Sequence, residues 1–134
     1  MDSGKEIVNR IHQAIRDDIP KAIEGGLLKG CLLIEREAKT RVSVKTGNLR
    51  NSITHKVEQD TLTGYVGTNV EYAPYVEIGT GIYSSQGDGR QTPWTYTDAN
   101  GEKHWTQGSH PHPFLKPARD ENLSAILKCF EGLL

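Results

Sequence analysis

The chain has 134 residues, the length of one domain built around one core. Lysine and arginine number 16 against 17 aspartates and glutamates, a balance that excludes general electrostatic attraction to nucleic acid or anionic lipid and leaves room only for local patches. Hydrophobic residues make up 35%, so the long polar stretches belong at edges or in loops and gain further burial from partners.

The N-terminal segment is charged and lacks an apolar signal, and no apolar run approaches the roughly 18 residues that cross a membrane. Synthesis in the cytoplasm and no membrane partner are expected. Cys31 and Cys129 lie in apolar helical patterns and read as buried thiols.

Ile7, Val8, Ile11, Ala14 and Ile15 recur at the spacing of one helical face, and Ser3 with Glu6 matches a capping box, so a first helix is expected from Gly4 to about Asp18. Asp18 is placed to cap a second helix with Pro20 in its first turn. Ile23, Leu27, Cys31, Ile34 and Ala38 carry the stripe on to about Lys39. Gly25, Gly26 and Gly30 weaken that helix, which implies a kink near 24–26 or a glycine side pressed against a neighbour.

Thr46-Gly47-Asn48 reads as a turn, and the spacing of Leu49 and Ile53 as one helical turn leading into a strand over about 52–59. Residues 60–64 connect it to a returning strand at 65–68. A short helix should follow from about Glu71, with Pro74 in its opening turn and Gly79 ending it. Residues 79–90 form a polar, glycine-rich loop expected to be mobile. Asn100-Gly101 predicts a two-residue hairpin turn that sets Asp98 opposite Lys103 and Tyr96 opposite Trp105, with Trp94 on the same face. The prolines of 109–114 hold the chain extended, and a last helix with Pro117 in its first turn carries Leu123, Ile126, Leu127 and Phe130.

Three constellations invite chemistry. His104, His110 and His112 suggest a metal, but the intervening prolines and the alternation of extended chain separate their side chains, so no metal is expected. Glu71 and Glu77 suggest paired carboxylates, yet positions six apart on a helix point about 120° from one another. No catalytic residues and no cofactor are assigned; a small metal-dependent hydrolase is the remote alternative. Arg41, Lys45, Arg50 and Lys56 lie in an acid-free run that would serve either a basic subunit-facing edge or a weak DNA contact, while the acids between Lys56 and Lys103 face only Arg90. This separation of charge suits head-to-tail packing of copies.

Three stretches together resemble the tail-completion and head–tail joining proteins of long-tailed phages and prophages: Thr46-Gly47-Asn48-Leu49-Arg50-Asn51-Ser52-Ile53, Val66-Gly67-Thr68-Asn69-Val70-Glu71-Tyr72-Ala73-Pro74-Tyr75-Val76-Glu77-Ile78-Gly79-Thr80, and His112-Pro113-Phe114-Leu115-Lys116-Pro117-Ala118. Lys45 stands where that family often has an acid. The resemblance implies one α+β domain over 1–134, in which a small antiparallel sheet packs against a long N-terminal helix and a C-terminal helix, with a flexible loop and an added hairpin. It implies a non-enzymatic virion protein, assembled in the host cytoplasm into a ring, typically of six copies, whose partners are a head connector or stopper protein and the tail-tube protein. A neck protein touching DNA is the alternative. The interface candidates are Arg41, Lys45, Arg50, Tyr72, Tyr75, Glu77, Gly79, Thr80, Trp94, Trp105 and Phe114.

Overall fold

The apolar periodicity at the N-terminus produces one long rod. In the structure, a computed structural model describing residues 3–43 and 47–132, α1 (Ser3–Gln13) runs through a π turn (Ala14–Asp18) directly into α2 (Ile19–Arg41). The expected stop at Asp18 does not occur: Asp18 has helical dihedrals and makes no side-chain cap. Pro20 explains the irregularity. It has no N–H to give, and the wider turn, in which the Ile19 N–H reaches back to the Ala14 carbonyl, accommodates it within a continuing helix.

The distortion therefore falls at 14–18 and not at 24–26. Gly26 instead allows a close approach: a Cβ there would stand 2.4 Å from Cδ1 of Phe130, and one on Gly30 would touch Ile126. The glycine side of α2 is the seat of the C-terminal helices.

Past Arg41 the chain turns back across α2. Val44, Lys45 and Thr46 lie outside the described residues; Gly47 and Asn48, read as a turn, already belong to α3 (Gly47–Ser52). α3 inserts Leu49 into the core and delivers Ile53 beside it. β1 (Thr54–Glu58) and β2 (Thr63–Gly67) pair antiparallel with His55 opposite Val66 and Val57 opposite Gly64. Alternation turns these four residues toward α2 and leaves Lys56 and Tyr65 exposed. His55 Nδ1 reaches Glu35 Oε1 at 3.4 Å, and Gly64 lies against the Cys31 sulfur. Both cysteines are free; Cys31 is buried and Cys129 half-buried.

α4 (Ala73–Ile78) carries Pro74 in its first turn and ends at Gly79, whose φ of +86° suits glycine. The last helix is two: α5 (Leu115–Asp120) and α6 (Leu123–Lys128). They break at Asn122, which leaves helical dihedrals while its amide donates to the Ala118 carbonyl. Ala38, Val42, Leu49, Ile53, Ala73, Phe114 and Ala118 form the core, bringing α2, α3, α4 and α5 together. Phe114, an interface candidate by sequence, is fully buried at its centre. Its aromatic ring fills volume inside the subunit and is not offered to a partner.

The second hairpin, β3 (Trp94–Thr97) and β4 (Lys103–Thr106), forms a separate two-stranded sheet, so the molecule is α+β with two small antiparallel sheets. Its register is one residue from the expected one: Thr95 faces Trp105 and Tyr96 faces His104. The turn is wider than Asn100-Gly101 alone because Asp98 organises it. Asp98 Oδ1 accepts the N–H groups of Asn100 and Glu102, both at 2.9 Å. The slip moves Trp105 to the face opposite Trp94 and Tyr96.

Neighbouring glycines of α2 should respond oppositely to alanine. Nothing lies within 4 Å of a Cβ at Gly25. Gly25→Ala should therefore stabilise by up to about 1 kcal/mol through helix propensity. Gly26→Ala should lose that gain and more by displacing Phe130. Urea denaturation measures both, and reduced amide protection across α6 should accompany the second only.

Candidate functional site

The segment from α4 to α5 is built around one carboxylate. Glu77, half-buried on α4, accepts the backbone N–H groups of Phe114 at 2.6 Å and Leu115 at 3.1 Å through Oε2, and that of Lys116 at 2.8 Å through Oε1. These are donors that the first turn of α5 cannot satisfy internally. A negative charge is favoured at that end of a helix, and the bonds are charge-assisted. The His112 N–H also donates to the Val76 carbonyl at 2.7 Å. Glu77 is thus committed at both oxygens to holding α5 on α4, whereas Glu71 lies exposed in the preceding turn. The two do not converge as an acid–base pair.

With its acid turned toward α5, α4 presents Tyr75 outward, 62% exposed. The chain then folds sharply back. Gly81, at φ +62°, lies so close to the Gln107 carbonyl that a Cβ would stand 2.0 Å from that oxygen. Thr80 and Ile82 donate their N–H groups to the Ser109 and Gln107 carbonyls at 2.9 and 3.1 Å, and the Ser85 N–H reaches the Ile78 carbonyl at 2.9 Å. Tyr83 packs on His110 with ring centroids 3.9 Å apart and accepts from the Gln107 amide. The glycine-rich loop is therefore pinned at its root, while residues 85–88 stay exposed.

Between α4, this loop and the start of β3 lies an open cleft of about 590 Å³. Tyr75, Ile78, Gly79, Thr80 and Trp94 line it, and Arg90 stands over the Trp94 ring at 5.5 Å. Four of the sequence candidates meet here: Tyr75, Gly79, Thr80 and Trp94. Ile78 and Arg90 were missed as site residues, although Arg90 is conspicuous as the cation of an acidic stretch. An aromatic and apolar lining with a charged rim is equipped to recognise a protein surface.

The other candidates are dispersed. Tyr72 is 38% exposed just before α4, and Trp105 is exposed on the far face of the hairpin. Arg41 binds Glu121 at 2.6 Å and Lys56 meets Glu58 at 3.2 Å. Arg50 is exposed, and Lys45 lies outside the described residues. Two of the cations once considered for DNA are thus already paired with acids.

Among the described residues, the group of metal-ligating types that converges is Asp98, Glu102 and His104, not the histidine trio. His104 Nε2 contacts Asp98 Oδ2 at 2.6 Å, and Asp98 Oδ1 is held by the turn. These bonds, the one to His104 foremost and the backbone N–H groups next, hold the Asp98 carboxyl below its ordinary range.

The fold is α+β, with an aromatic-lined cleft beside α4. A model of the HK97 gp10-like family, described as "Bacteriophage HK97-gp10, putative tail-component", matches residues 5–79, more than half of the chain. The protein belongs to that phage family, and the match runs from α1 to the end of α4. No curated protein and no solved structure matches the chain.

Replacing Glu77 by glutamine removes the charge and one acceptor oxygen, which should cost about 1–3 kcal/mol in denaturant unfolding. Amide exchange should accelerate first at Phe114, Leu115 and Lys116. For the hairpin the pH dependence has a defined sign. The folded carboxyl of Asp98 titrates below the unfolded value of about 3.9, so its contribution is complete above that value and is lost as pH falls through the folded one. Protection factors of the Asn100 and Glu102 amides, taken by NMR against the intrinsic rate at each pH between neutral and pH 2, should fall in that acid window, and Asp98→Asn should abolish the dependence.

Proposed function

We propose that this protein is a virion structural subunit that completes the head-facing end of a phage tail and joins that tail to a filled head. Family membership supplies the phage-tail role. The observation that carries the finer reading is the cleft that gathers Tyr75, Gly79, Thr80 and Trp94 beside a tethered α5. In this reading residues 1–134 act as one domain in a ring of six copies, assembled in the host cytoplasm. The cleft takes a protruding element of the head connector or stopper protein, and the opposite side of the ring rests on the tail-tube protein.

Binding alone performs this work: association with the tail creates a surface that recognises the filled head, and no bond is made or broken. The exposed aromatics are the natural anchors, since truncating such a residue at the centre of an interface costs about 2 kcal/mol, roughly 30-fold in affinity. Tyr75 is mostly exposed in the free subunit, so its removal leaves the core intact.

The test is a joining assay with purified heads and tails carrying Tyr75→Ala together with Trp94→Ala. Unjoined heads and intact tails should accumulate and infectious yield should fall sharply, while circular dichroism and melting of the subunit stay as in the wild type. Joining at wild-type yield by the double variant rejects the cleft as the docking surface.

A further inference from the structure

The observed register of the second hairpin sets acid opposite acid. With Tyr96 facing His104 and Thr97 facing Lys103, the next pair is Asp98 and Glu102, joined by the Asp98 N–H to the Glu102 carbonyl at 2.9 Å. Alternation along the strands gathers Tyr96, Asp98, Glu102 and His104 on one face and turns Lys103 to the other. Like charges directly opposite one another destabilise a hairpin. The two-residue turn expected from Asn100-Gly101 would have set Asp98 against Lys103 instead. Asp98 and His104 are half-buried, Glu102 is exposed, and one donor atom of each lies within 4.8 Å of the others. Asp98 Oδ2 and His104 Nε2 already touch at 2.6 Å, whereas the Glu102 carboxylate has no hydrogen-bond or ion-pair partner among the described residues.

We propose that Asp98, Glu102 and His104 form a binding site for a zinc-type divalent cation that ties the two strands of the hairpin together. This goes beyond the docking reading and does not depend on it. An ion between the two carboxylates replaces their repulsion by attraction to a common centre, and the imidazole nitrogen supplies a third donor. Zinc takes such nitrogen and oxygen donors at about 2.0–2.2 Å, which in a tetrahedron places them about 3.4 Å apart. Rotation of the side chains, above all of exposed Glu102, is enough to reach that spacing from the present one. The support is already in place. Asn100 and Glu102 hold Asp98 Oδ1 through their N–H groups, leaving Oδ2 for the ion, and the Tyr96 ring stacks on the His104 imidazole with centroids 5.2 Å apart. Contacts of this kind fix the orientation of metal ligands. The proton between Asp98 Oδ2 and His104 Nε2 gives way to the ion: a neutral imidazole carries it on Nδ1 instead, and an imidazolium releases one to solvent. An imidazole donor disfavours magnesium and calcium, which take oxygen. Water fills the remaining position. The effect is structural, since a two-stranded ribbon apart from the other sheet is marginal in water and the ion joins the end of β3 to β4.

The test titrates the full chain, prepared without an affinity tag and stripped with EDTA, with zinc chloride at neutral pH. Calorimetry should count one zinc per chain, and NMR should show the His104 ring signals shifting while the Asn100 and Glu102 amides gain protection. Glu102→Gln is the diagnostic variant, because that side chain is exposed and holds no other group. It should weaken zinc by at least about tenfold and leave the metal-free amide spectrum as in the wild type. Glu102→His exchanges one zinc donor for another, so it should bind at least as tightly as the wild type. His110→Gln/His112→Gln, outside the triad, should bind as the wild type does. Magnesium chloride at the same concentrations should leave the His104 signals in place.

A wild type that binds zinc more weakly than about 1 mM overturns the site. So does zinc that moves the signals of His110, His112 or the cysteines in place of those of His104. Undiminished binding by Glu102→Gln removes Glu102 from the ligand set and the triad with it, and Glu102→His as weak as Glu102→Gln does the same. Magnesium bound as tightly as zinc would reduce the site to a loose pair of acids and reject the zinc-type assignment.

Discussion

The carboxylate of Glu77 joins segments that the rest of the chain keeps far apart. Its three backbone donors lie 37 to 39 positions downstream, at the point where an extended stretch becomes α5. Three N–H groups without partners at a half-buried helix end would each carry a desolvation cost, and a single side chain removes it for all three. The consequences extend in both directions. Phe114 is held in the core, and α4 is oriented so that Tyr75 faces outward into the cleft. The chemistry that would qualify Glu77 as an acid is thereby spent on architecture.

A second constraint is the proline in the rod. Pro20 would break an ordinary helix interior, but the π turn before it keeps α1 and α2 continuous. The same turn rotates the apolar stripe of α1 into register with the face of α2 that builds the core. The molecule consequently has a closed core at one end of a long helix and an open apolar stripe at the other. A contiguous apolar stripe left in water is unusual on a folded chain and marks a surface available for contact.

The hairpin illustrates how one polar side chain outweighs a local turn preference. Asn100-Gly101 favours a two-residue connection, yet Asp98 collects two backbone donors and His104, and the wider turn that results moves the register by one residue. Because side chains alternate along a strand, that single step decides that Trp94 and Trp105 cannot serve the same surface. Trp94 is left to the cleft, where Arg90 covers its ring.

Periodicity and punctuation were enough, by themselves, to determine the helical character of the first forty residues though not its continuity past Asp18, a hairpin over about 52–68, a short helix with Pro74 in its opening turn and Gly79 at its end, and the α+β class, because each depends on residues near in sequence. Four of the cleft residues were legible for the same reason, standing in one stretch around α4 or as a tryptophan beside a turn. Tertiary structure alone decided the rest. That Phe114 is core and not interface, that Glu77 caps a helix it precedes by almost forty residues, and that Gly26 serves Phe130 all depend on contacts between distant segments, which no local pattern encodes. The stripe of α1 was readable as apolar, but only packing could reveal that the subunit leaves it uncovered.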